Sequence, residues 1–154
     1  MTDYALLNDQ LKALCEGVDE QVTLLSNAAA LLYWTLPDLN WAGFYLARES
    51  GLVLGPFMGR PACVKIPWGR GVCGTAAEKN ETLTVPDVHA FKGHIACDSA
   101  SNAEIVAPLR TPAGDVLGVM DLDSPVKNRF TAEDRAGLEA FARTLEKALA
   151  NCAR

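Results

Sequence analysis

The sequence has no apolar run near the ~20 residues that span a bilayer, which argues against a membrane helix. It is also poor in positive charge. Fourteen Lys and Arg stand against 19 Asp and Glu, and no basic cluster offsets the net −5. A phosphate backbone needs such a cluster, so nucleic acid is set aside as a partner. The start, Met1 to Asp9, lacks the basic and long apolar segments of a signal peptide, and the protein is expected to be cytoplasmic. No linker, repeat or low-complexity segment interrupts the chain. The expectation is one domain over residues 1–154, long enough to bury a sizeable core.

Cysteine is present in a number that cannot pair off: Cys15, Cys63, Cys73, Cys97 and Cys152. Stable structural bridges are rare in a reducing compartment, where disulfides tend to be catalytic or sensing. No two cysteines lie two to four residues apart, the spacing that marks most zinc sites. With His89 and His94 as the only histidines, no metal site is expected, and the two are read as loop histidines. Cys15 and Cys152 fall in helical segments near the ends and read as small buried apolar residues. Cys97 differs. It lies in His94-Ile95-Ala96-Cys97-Asp98-Ser99-Ala100-Ser101-Asn102, a polar run with no hydrophobic period, a setting suited to thiol chemistry. Cys63 and Cys73 are near enough in sequence to resolve an oxidised form of it.

The pattern along the chain predicts helices over residues 3–16, with Leu6, Leu7, Leu11 and Leu14 on one side, and 19–36, with Val22, Leu25, Ala29 and Leu32 as the stripe. Gly17 and Pro37 close them. A hairpin follows, over 41–46 and 52–55, then a strand over 62–66, a short helix over 72–79 and a short strand over 82–85. Residues 87–102 show no clean period and read as a long functional loop. A second hairpin covers 104–109 and 116–122. A last helix starts at Thr131, where Thr131 and Asp134 suit a capping box, and carries Leu138, Phe141, Leu145 and Leu149. This order favours an α+β sandwich: a mostly antiparallel sheet, terminal helices on one face, and a loop-covered ligand pocket on the other.

Strand alternation places Asp121 and Asp123 opposite Met120 and Leu122, and Glu104 on the neighbouring strand reaches the same face. Three acids together read either as a solvated outer face or as a pocket for a ligand with an ammonium group or a need for a proton donor. Trp41 and Tyr45 share a strand face across Gly43. They read either as plain core or as the apolar wall of that pocket.

These runs resemble the free methionine-(R)-sulfoxide reductases, stand-alone GAF domains that reduce the free amino acid sulfoxide. The matching motifs are Gly69-Arg70-Gly71-Val72-Cys73-Gly74-Thr75-Ala76, Val85-Pro86-Asp87-Val88-His89, the run around Cys97, Glu104-Ile105-Val106 and Gly118-Val119-Met120-Asp121-Leu122-Asp123-Ser124. They span about 41–130; Ala103 stands where the family is expected to carry Ser. The resemblance implies a GAF-like sheet and assigns roles. Cys97 would attack the sulfoxide sulfur, and Cys63 would resolve the sulfenic acid as a disulfide, with Cys73 as a second or alternative partner. Trp41 and Tyr45 would hold the S-methyl end. Glu104, Asp121 and Asp123 would bind the polar groups and polarise the S–O bond. Thioredoxin would return the disulfide to thiols, without a cofactor, and a homodimer stays open because GAF proteins often form one. The rival reading is a GAF sensor that binds a small ligand without turnover. An acidic face suits a nucleotide phosphate poorly.

Overall fold

The computed structural model describes residues 1–95 and 99–152. Helices α1 (Tyr4–Cys15) and α2 (Gln21–Thr35) lead into β1 (Trp41–Arg48), β2 (Gly51–Gly59) and β3 (Lys65–Pro67). Helix α3 (Gly71–Lys79) and β4 (Leu83–Val85) follow, then β5 (Ala103–Arg110), β6 (Val116–Ser124) and α4 (Ala132–Leu149). A short 3₁₀ turn, Val88–Ala90, lies in the long loop. All strand pairs are antiparallel, in the order β3-β2-β1-β6-β5-β4. The chain therefore forms the expected α+β fold, a curled antiparallel sheet with helices against it.

One sheet face is sealed by α2 and α4, with α1 packed against both helices. Ala42 and Phe44 of β1, Ile105 and Leu109 of β5, and Met120 and Leu122 of β6 pack there with Leu25, Leu32, Leu138 and Phe141. Helices α1 and α4 each start at a side-chain cap. Asp3 accepts from the Leu6 N–H at 3.0 Å. At α4, Thr131 and Asp134 cap each other reciprocally, as the sequence predicts. The ends of α1 and α4 are tied where the Tyr4 hydroxyl donates to Asp134 at 2.6 Å and Arg129 pairs with the same carboxylate at 3.0 Å.

Three details differ from the sequence reading. On α1 only Leu7 and Leu11 are buried, while Leu6 and Leu14 are exposed, because one i,i+4 pair is enough to face α4 and α2. The core stripe of α2 is Leu24, Leu25, Ala28, Ala29 and Leu32, and Val22 is exposed at its first turn. Strand β2 runs on through Pro56 to Gly59, and the third strand falls at 65–67 rather than 62–66. Cys63 is thereby left in a connecting segment.

Candidate active site

The other sheet face carries Trp41 and Tyr45 from β1, Val106 from β5 and Val119 from β6, covered by α3 and by Val88, Phe91 and Ile95. Strand register builds the floor of a cavity there. Trp41 lies beside Asp123, which lies directly across from Glu104, and Gly43 lies beside Asp121. The cavity holds about 40 Å³ open to water-sized groups and is lined by Trp41, Tyr45, Cys73, Glu104, Asp121 and Asp123, with Arg70 at its side. So six of the eight expected site residues meet in one place. The acids are not a solvated face: Glu104 and Asp121 are 8% and 4% exposed, and Asp123 is half-buried.

The aromatic wall is tight. Trp41 and Tyr45 stack with centroids 5.9 Å apart, and Phe57 of β2 stacks with Trp41 at 5.2 Å. Gly43 permits this, since a Cβ there would meet Phe57 and come within 2.8 Å of the Trp41 ring. The space the missing side chain leaves is filled by these rings. Both aromatics also hold the 60–63 segment: Trp41 Nε1 donates to the Arg60 carbonyl at 3.2 Å, and the Tyr45 hydroxyl to the Cys63 carbonyl at 3.0 Å.

Burial sets the electrostatics. The Glu104 carboxyl is pushed well above the usual carboxylate range, first by desolvation and then by Asp121. Asp121 is raised for the same first reason, with Asp123 next. Desolvation and the facing carboxyl groups together favour the protonated forms of Glu104 and Asp121. The floor is thus a store of protons beside an excess of negative charge. Cys73 donates from Sγ to Glu104 Oε2 at 3.8 Å. Burial, then Asp121 and Glu104, hold its thiol far above the ordinary range.

Cys73, Cys15 and Cys152 are free, whereas Cys63 is disulfide-bonded. Cys97 lies outside the described residues, but His94 and Ile95 before it and Ser101 after it all line the cavity. Burial, with His89 second, lowers the pKa of His94, which favours its neutral form.

One group was not assigned from sequence. Helix α3 begins at the cavity, with Arg70, Gly71, Val72 and Cys73 all lining it. Its N-terminus brings the positive end of the helix dipole, and Arg70 a full charge. Gly71 makes the junction: its φ is +63°, its N–H donates to the Gly93 carbonyl at 3.1 Å, and a Cβ would press on Ile95 at 3.2 Å. The signal was in the sequence, as Gly69-Arg70-Gly71 directly before a helical segment. The site thus has an acidic floor, an aromatic wall and a cationic flank. That arrangement fits a small zwitterion with an apolar arm.

The GAF domain family matches residues 20–149. Protein YtsP of Bacillus subtilis is 57% identical over 96% of this chain and 91% of its own length. The free methionine-R-sulfoxide reductase of Escherichia coli is 54% identical over 96% of this chain and 88% of its own. The structure of fRMsr of Staphylococcus aureus in complex with substrate superposes with a TM-score of 0.92 at 47% identity, covering 97% of each chain.

Proposed function

The chain belongs to the GAF domain family and, within it, to the free methionine-R-sulfoxide reductases, an oxidoreductase family, and from that premise we propose how it works. It reduces free L-methionine (R)-S-oxide to L-methionine through a cysteine sulfenic acid and an intramolecular disulfide, which thioredoxin reduces. The observation that carries this is the buried cluster of Glu104, Asp121 and Asp123 in a cavity whose lining continues on both sides of Cys97.

A sulfoxide sulfur is a poor electrophile until its oxygen is protonated. A buried carboxyl group whose pKa is raised still holds a proton at neutral pH, and Glu104 and Asp121 have that character. The Cys97 thiolate attacks sulfur as the carboxyl proton passes to oxygen. The hydroxyl then passes from the substrate sulfur to the Cys97 sulfur as the S–O bond and the new sulfur–sulfur bond break, methionine leaves, and Cys97 is left as the sulfenic acid. The Cys63 thiol then attacks that sulfur, releases water and forms the disulfide. Two electrons pass from the thiols to the substrate, and a dithiol such as thioredoxin restores them. The disulfide-bonded state of Cys63, beside a free Cys73, favours Cys63 as the resolving residue. Cys73 is a poor nucleophile while carboxylates face it.

The substrate's ammonium meets the acids, its carboxylate the α3 terminus and Arg70, and its S-methyl group the Trp41–Tyr45 wall. A peptide-bound methionine lacks both charges, so the site rejects it. Single-turnover assays test the cysteine roles. Cys97→Ser should abolish even one turnover, and Cys63→Ser should keep one turnover and lose thioredoxin-linked cycling. A full first turnover in Cys97→Ser contradicts the assignment.

A further inference from the structure

Cys73, Glu104 and Asp121 each present a ligand atom within 4.8 Å of the others, all three buried on the cavity wall. Acids alone do not mark a cation site, but two further observations bear on this set. Asp121 is 4% exposed and lines the cavity, yet its Oδ1 has no hydrogen-bond partner among the described residues. A buried carboxylate oxygen without a donor is costly until something cationic reaches it. The second observation is the sulfur. An ammonium ion is satisfied by oxygen, whereas a thiol as third member suits a thiophilic metal. Zinc bonds of ~2.3 Å to sulfur and ~2.0 Å to oxygen enclose an S···O edge of ~3.5 Å at the tetrahedral angle. Cys73 Sγ lies 3.8 Å from Glu104 Oε2, a few tenths of an ångström longer than that edge.

We propose that Cys73, Glu104 and Asp121 form a binding site for a thiophilic divalent cation of the zinc class, occupied in competition with substrate and blocking turnover. The competition rests on this cavity being the substrate site. On binding, the Cys73 S–H bond and the O–H bonds held on Glu104 and Asp121 break, sulfur–metal and oxygen–metal bonds form and the protons leave to solvent, with no change of oxidation state. Two carboxylates and a thiolate bring three negative charges to two positive ones, and the cavity side leaves the fourth position to water. Magnesium and calcium, which favour all-oxygen ligand sets, are excluded by the sulfur.

Cadmium is the probe, because its thiolate complexes absorb in the ultraviolet. The protein is titrated in its oxidised form, with Cys63 held in its disulfide, and metal content is measured by equilibrium dialysis. One cadmium per chain is expected. Its absorption should be lost in Cys73→Ser, its affinity lowered ~10-fold or more in Asp121→Asn, and the metal displaced by free methionine sulfoxide. Circular dichroism checks that both variants fold, and Asp121→Asn keeps the test usable if Cys73→Ser does not. Unchanged absorption in Cys73→Ser, or unchanged affinity in Asp121→Asn, overturns the metal site. Absent cadmium binding in a protein that consumes methionine sulfoxide overturns this proposal alone. Cadmium bound through Cys73 in a protein that does not consume it overturns the reductase reading and leaves the metal site standing.

Discussion

Glu104 lies directly across the β5–β6 ladder from Asp123, and Asp121 sits on the same face two residues away. Three carboxyls so placed cannot all ionise at ordinary cost, and the raised values of Glu104 and Asp121 follow from burial and mutual repulsion. Glu104→Gln and Asp123→Asn keep shape while removing a negative charge and a transferable proton. Each should slow the first chemical step by ~10²-fold or more, the scale of positioned acid–base catalysis. Thermal melts should show no loss of stability, since repulsion is relieved. Near-wild-type single-turnover rates in both would return the acids to a passive role. The acids and the aromatic pair were legible because strand alternation alone fixes which face a side chain takes. The Cys73–Glu104 contact was not, because it joins a helix to a strand 31 residues away in sequence.

Among the elements, α4 and β1 show where sequence sufficed and where packing decided. The capping box at Thr131 is a local signal, complete within four residues, and it forms as read. Thr131→Ala removes the acceptor for the Asp134 N–H and should cost ~1 kcal/mol of stability. Because α4 packs on the helical face of the sheet, turnover by the folded variant should be unchanged. Urea unfolding beside an activity assay measures both. Gly43→Ala tests the other face. A Cβ there presses on Phe57 and Trp41, and overpacking of this kind costs ~1–3 kcal/mol. The variant should also raise KM more than it lowers kcat, because the displaced ring belongs to the proposed substrate wall and not to the acids. A stable Gly43→Ala protein with unaltered KM would contradict that wall. The exposed Val22 and the shifted third strand were illegible for a common reason: neighbouring elements select among faces and registers that the local pattern leaves equivalent.

Over the whole molecule, the two groups of perturbed carboxyls pull stability in opposite directions with pH. Asp134, where burial raises the pKa but hydrogen bonds from Thr131 and Tyr4 outweigh it, titrates below its ordinary range. Its contribution is present above about pH 4 and is lost as pH falls through the lowered value. Glu104 and Asp121 are raised, so their contribution is full below about pH 4 and is lost as pH rises through their folded-state values. Substrate-free protein should therefore lose stability toward higher pH, and Asp121→Asn should flatten that side of the profile in thermal melts. A wild-type profile with no such decline would contradict the buried charge cluster. Under the proposed function, the ammonium of a free amino acid is the partner for this cluster, which the sheet otherwise holds at a cost in stability.

The most direct test of the account is thioredoxin-coupled consumption of four substrates by the purified protein: the R and S epimers of free methionine sulfoxide, each also as its acetylated and amidated form. The account predicts consumption of the free R epimer, with the free S epimer and both blocked forms left intact. Equal rates on the two free epimers, or clear turnover of a blocked substrate, would contradict it.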